Sequence, residues 1–103
     1  MSTLPLSLRK EGLVERHQIE GMDPSDRYFN RSIAVNRGGN GYYATVMYEA
    51  LVVDGRPQKT VTDAVTDVVT QLRNLGFRRM RTRLNFRGKR YLAEKETWID
   101  YAD

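Results

Sequence analysis

The sequence predicts an α+β domain: an antiparallel sheet of about four strands, in the order β-β-α-β-β, with one helix packed on one face. Three observations predict it. Residues 60–76 carry one helical stripe of apolar side chains, Tyr42 to Val53 is dense in aromatic and β-branched residues, and two strand-like segments flank Gly88-Lys89. A chain of 103 residues is long enough for a single core and too short for two.

Residues 1–30 carry no clean period. Arg9, Lys10, Glu11, Glu15, Arg16 and Glu20 mix with Leu13, Val14 and Ile19, and Gly12 and Gly21 interrupt any helix. This stretch is expected to be an N-terminal arm, extended or partly disordered, ahead of a single domain over 31–103. Met22 to Asp26 is a turn, with Pro24 fixing the backbone. Ser32 to Arg37 then forms a short strand with Ile33 and Val35 on one face, and Gly38-Gly39-Asn40-Gly41 turns it. A glycine loop that holds phosphate normally leads into a helix; this one leads into a strand. Tyr42 to Val53 is expected to be one long strand, apolar on both faces and therefore central. Asp54-Gly55 closes it.

The helix has the strongest signal. Val61, Ala64, Val65, Val68, Val69, Leu72 and Leu75 fall on one face. Thr60 with Asp63 forms a capping-box-like start, and Gly76 supplies the left-handed stop. Four of these seven are Val, a modest helix former, so the helix requires a sheet to lie on. Asp63 and Asp67 share its solvated face, where the macrodipole favours them.

Gly88 in the first position of a two-residue turn fits type II′. The register that follows pairs Phe86 with Tyr91, Leu84 with Ala93, Met80 with Thr97 and Arg78 with Ile99 on the face toward the helix. The opposite face pairs Asn85 with Leu92, Arg83 with Glu94, Arg81 with Glu96 and Arg79 with Trp98. A one-residue slip would turn the apolar set outward.

Charge is distributed unevenly. The net +4 comes from the C-terminal third: residues 1–72 hold eight Lys/Arg against nine Asp/Glu, and residues 73–103 hold nine against four. Arg73 to Arg90 contains no acidic residue at all. On a strand, Arg79, Arg81, Arg83 and Arg87 share one face, repeating every ~6.6–6.8 Å. A local row of guanidinium groups is a surface for a polyanion.

No Cys is present, which excludes a disulfide framework, a thiolate nucleophile and Cys-ligated metal. The single His17 has no ligand set around it, and no Gly-x-Ser-x-Gly nucleophile setting occurs. No cofactor or metal is expected, and no enzymatic machinery is visible. No apolar run approaches a membrane span, and Met1 to Leu8 lacks the layout of a signal peptide; a cytoplasmic protein is expected.

These observations point to a non-enzymatic binding domain that engages DNA or RNA with little base specificity. The expected contact residues are Arg79, Arg81, Arg83, Arg87, Lys89, Arg90 and Trp98: phosphate contacts at the hairpin tip, and cation–π or stacking contacts around Trp98. The competing explanation is a solvated ladder in which Glu94 and Glu96 neutralise Arg83 and Arg81. The alternative function is a protein-interaction or assembly subunit, with the same Tyr/Arg/Trp face docking an acidic partner or a second copy.

Overall fold

The computed structural model describes residues 12–87, 90–91 and 96–103. Its elements are β1 (Leu13–Met22), β2 (Tyr28–Gly38), β3 (Gly41–Tyr48), β4 (Leu51–Asp54), α1 (Val61–Asn74), β5 (Arg78–Arg87), β6 (Arg90–Tyr91) and β7 (Ile99–Asp100). Six strands lie side by side in the order β4-β3-β2-β1-β5-β6, and β7 also pairs with β5. Every pairing is antiparallel. Among the described residues the α+β class with one helix is as expected, and the strand count is higher than about four, for two physical reasons.

The first lies in residues 13–30. Expected as an arm ahead of the domain, they form β1, which sits between β2 and β5, and the start of β2. Only Ile19 in β1 is a large side chain fully buried in the core. The polar Gln18 and Glu20 face away from the helix and meet partners on β5, and Glu15 and His17 share the inner face with Ile19, so the strand lacks the alternation that marks one. Residues 1–11 of the expected arm lie outside the described residues.

The second is a turn inside the expected long strand. Glu49, at φ 56°, and Ala50 reverse the chain, so Tyr48 opposes Leu51 and Val46 opposes Val53. The inward set is therefore Ala44, Val46 and Tyr48 before the turn and Leu51 and Val53 after it. That change of parity made both faces of one imagined strand look apolar.

The helix begins and ends where the sequence places it. The Thr60 hydroxyl accepts the Asp63 N–H at 3.0 Å, and Gly76 takes φ 104° after the last turn. Ala64, Val65, Val68, Val69 and Leu72 are buried, mainly against β3 with β2 and β4 at the flanks. Met80 joins the same core, but the helix does not lie along β5 as expected. Asp67 is more than a favourable surface charge: it accepts the Arg56 N–H at 2.8 Å, holding the β4–α1 connection to the helix. Phe29, Tyr48 and Phe77 close the core edge-to-face, with centroids 5.2–5.5 Å apart.

A buried carboxylate fixes the β1–β2 turn. Asp23 Oδ1 accepts the Ser25 and Arg27 N–H groups at 2.8 and 2.9 Å. Its Oδ2 accepts Arg27 Nε at 3.1 Å and the Tyr48 hydroxyl at 2.6 Å. These four bonds fill the acceptor positions of a carboxylate. The Tyr48 bond first, then the Arg27 N–H, push its pKa down from 3.8 to about 2. A depressed carboxylate stabilises the fold fully above its unfolded pKa and loses that contribution as pH falls through the folded value. The melting temperature should therefore hold down to about pH 3.8 and fall as pH drops toward 2. In Asp23→Asn that acid-sensitive step should shrink; an unchanged step would assign it to another group.

Candidate nucleic-acid interface

The site is built on the sheet face opposite α1, where β1 pairs with β5. Cross-strand neighbours share a face, and the register sets Glu20 opposite Arg81 and Gln18 opposite Arg83. Arg81 Nε donates to Glu20 Oε2 at 2.5 Å, and its NH2 nitrogen lies equally close. Arg83 Nε donates to Gln18 Oε1 at 3.1 Å. Trp98, just before β7, brings its indole under both arginines: their guanidinium carbons lie 4.2 and 4.4 Å from its ring centroid. Both are well inside cation–π range.

The network extends onto β2. The Tyr28 hydroxyl donates to Glu20 Oε1 at 2.7 Å, and Asn30 Nδ2 donates to the Tyr28 oxygen at 3.3 Å. Burial opposes ionisation of Glu20, but the bonds from Tyr28 and Arg81 and the two arginine charges outweigh it and hold its carboxyl below the usual range. The result is a connected polar strip, Asn30–Tyr28–Glu20–Arg81–Trp98–Arg83–Gln18, across β2, β1 and β5 and the residue before β7.

Arg81, Arg83 and Trp98 are thus brought together, through partners other than those expected. The tip register is as expected, with Phe86 opposite Tyr91 and Arg87 opposite Arg90. Further back the pairing has moved on: Asp100, not Glu96, opposes Arg81, and Ile99 opposes Thr82. Trp98 therefore reaches Arg81 and Arg83 instead of Arg79. The carboxylate on Arg81 comes from Glu20. Glu94 lies outside the described residues.

Two β-bulges break the expected row of arginines. At the first, Glu20 opposes Arg81 and Met22 opposes Arg78, so Arg79 and Met80 share the place of Gly21. Arg79 takes φ 54° and donates its N–H to Asp103 Oδ1 at 2.8 Å, while the Arg78 side chain pairs with Asp26. Arg79 therefore does not continue the line of Arg81 and Arg83. At the second, His17 opposes Leu84 and Arg16 opposes Phe86, which leaves Asn85 as the extra residue. Beyond it the alternation reverses. Arg87 Nε donates to Glu15 Oε2 at 3.1 Å, and Glu15 Oε1 lies 2.8 Å from His17 Nε2. Glu15 and His17 share the helix-side face of β1 with Ile19, so Arg87 leaves the arginine row and its charge is matched. Burial lowers the His17 pKa, with Glu15 only partly offsetting it.

Phe86 moves the other way. Expected against the helix with Met80 and Leu84, it pairs with Arg16, which shares the open face with Gln18 and Glu20. Of the remaining expected contacts, Arg90 pairs with Arg87 in the register, and Lys89 lies outside the described residues.

Elsewhere, a cavity of about 380 Å³ opens beside the β1–β2 turn, lined by Pro24, Tyr48, Leu51, Leu75 and Phe77 among others. Its buried carboxylate, Asp23, has every acceptor position occupied. Among the described residues no group of three or more His, Cys, Asp or Glu could hold a metal ion, and no helix is long and apolar enough to cross a membrane. Comparison with known proteins finds no matching family model, no similar curated protein and no similar solved structure.

Proposed function

We propose that this protein is a small non-enzymatic binding domain, cytoplasmic, whose open sheet face engages nucleic acid with little base specificity. The observation that carries the proposal is the Arg81–Trp98–Arg83 stack on the face opposite the helix. Indole rings and guanidinium planes are both surfaces on which bases stack, and β5, braced by Glu20 and Gln18 of β1, holds the two guanidinium groups at fixed spacing. Arg83, whose side-chain bond goes to neutral Gln18, is the strongest candidate for a phosphate contact. Arg81 shares its charge with Glu20 and acts mainly by positioning the indole. Arg16 lies further along the same face.

Phosphate contacts release counterions, so affinity falls as salt rises, with a log–log slope of about −0.7 per contact on single strands and about −0.9 on duplex. In anisotropy titrations of labelled oligonucleotides, Arg83→Gln should weaken binding and flatten that slope by about one contact. A salt-independent affinity would contradict the proposal.

A protein partner is the second possibility, favoured by one observation. Met47 of β3 and Val52 of the edge strand β4 form a cross-strand pair on the same open face, 61% and 52% exposed. Dimerisation in sizing, lost in Val52→Lys and indifferent to oligonucleotide, would favour it.

A further inference from the structure

Phe86 sits on the open face because of one extra residue. Without the Asn85 bulge, Phe86 would stay in phase with Leu84, whose partner His17 lies on the helix side. The bulge sets it opposite Arg16 instead. Bulges re-aim side chains in this way and are features of functional edges more than defects. Along β5, Arg81, Arg83 and Phe86 then occupy successive positions of one face, spaced by ~6.6–6.8 Å in regular strand. Trp98 flanks the first two. Phe86 is half-buried, so part of the ring is held by the sheet and part meets solvent.

We infer that Phe86 is a second stacking platform beside the Trp98–arginine stack, and that the ligand of this face is single-stranded nucleic acid. The inference rests on the proposed nucleic-acid function and narrows it. Neighbouring bases of an extended strand would seat on Phe86 and on the indole–guanidinium stack, while Arg16, opposite Phe86, reaches the backbone between them. A duplex cannot use such a platform, because its bases are already stacked and paired. Only unstacked bases can be splayed onto aromatic side chains. Stacking is tolerant of sequence, since every base has a π-face, which agrees with weak base specificity. Arg83 and Arg16 contribute charge complementarity, and the two aromatic rings choose the single-stranded form.

The test uses the full chain and labelled oligothymidylate and oligouridylate of about ten nucleotides, within the usual range of site sizes, with a mixed-sequence duplex of equal length. Wild type should bind both single strands more tightly than the duplex. Phe86→Ala should weaken single-strand binding by roughly 5- to 150-fold, the loss expected for one stacked base, and leave duplex binding unchanged. Phe86→Tyr should restore it. Phe86→Leu, which keeps apolar bulk without a π-face, should bind like Phe86→Ala and melt like wild type. Wild-type affinity in Phe86→Leu, alongside weakened binding in Arg83→Gln, would overturn the platform and spare the nucleic-acid function. Equal affinity for duplex and single strand would overturn the single-strand assignment. No binding of any oligonucleotide by wild type would overturn both.

Discussion

Val68→Asp should abolish cooperative folding. Val68 is 0% exposed at the centre of the buried stripe of α1, packed within the cluster of buried apolar side chains. A buried, unpaired carboxylate costs several kcal/mol, about 3–5 where a buried pair has been broken. That is a large part of the roughly 5–15 kcal/mol that holds a domain together. The alternative open to the chain is to rotate the helix. That would bring the polar face with Thr66 and Asp67 onto β3 and break the Asp67–Arg56 bond, so the mutation has no inexpensive escape. Thermal or denaturant melts followed by circular dichroism should show no folded baseline. A cooperative transition near the wild-type midpoint would mean that the helix presents a different face to the sheet.

Gly21→Ala should be the most damaging small substitution in β1, and its effect should reach the binding face. A Cβ at Gly21 would lie 2.8 Å from the Arg78 carbonyl oxygen, 3.0 Å from that of Arg79 and 3.0 Å from Met80 Cγ. Two of these three atoms are backbone, and they belong to the bulge in which Arg79 holds φ 54°. Relief therefore requires the bulge itself to move. Overpacking of this kind costs about 1–3 kcal/mol, which lowers the midpoint by about 4–8 °C per kcal/mol in a domain of this size. Because the bulge sets the register of Arg81 and Arg83 against Glu20 and Gln18, a shift would disturb the stack on Trp98. The indole emission of Gly21→Ala should change along with the midpoint. A variant with wild-type midpoint and emission would show that the close approach at Gly21 is not a structural requirement.

What could be seen in the sequence depended on how local the determining contacts are. The helix is written in a period of 3.6, with Thr60, Asp63 and Gly76 marking its ends, and all of it lies within one short segment. The hairpin register is equally local: Phe86 opposes Tyr91, as the Gly88-Lys89 pair in the sequence predicts. Strand β1 is the opposite case. Its polar residues are stable in mid-sheet because Glu20 and Gln18 find Arg81 and Arg83, 61 and 65 residues away in sequence. No window around β1 contains that information.

The turns and bulges that reshaped the site leave equally little trace. Glu49 and Arg79 both take positive φ where Gly or Asn would have signalled it, and Asn85 looks like any strand residue. The candidate site was therefore legible in type and only partly in membership. An arginine row beside the single Trp was visible. Two features were not: the removal of Arg79 and Arg87 from the row, and the arrival of Phe86. A count of residues between Arg81 and Arg87 cannot reveal a bulge. Only the pairing of β5 with β1 does.

The central claim is that nucleic acid seats on the face holding Trp98, and Trp98 is the single Trp of the chain. The most direct measurement is a titration of its fluorescence with single-stranded oligonucleotide at low and at moderate salt. The account predicts saturable quenching that weakens as salt rises and is lost when Arg81 and Arg83 are both replaced by Gln in a protein that still melts cooperatively. Unchanged indole fluorescence and unchanged anisotropy at micromolar protein in low salt would contradict it. The strip from Asn30 to Gln18 would then be a self-satisfied sheet surface.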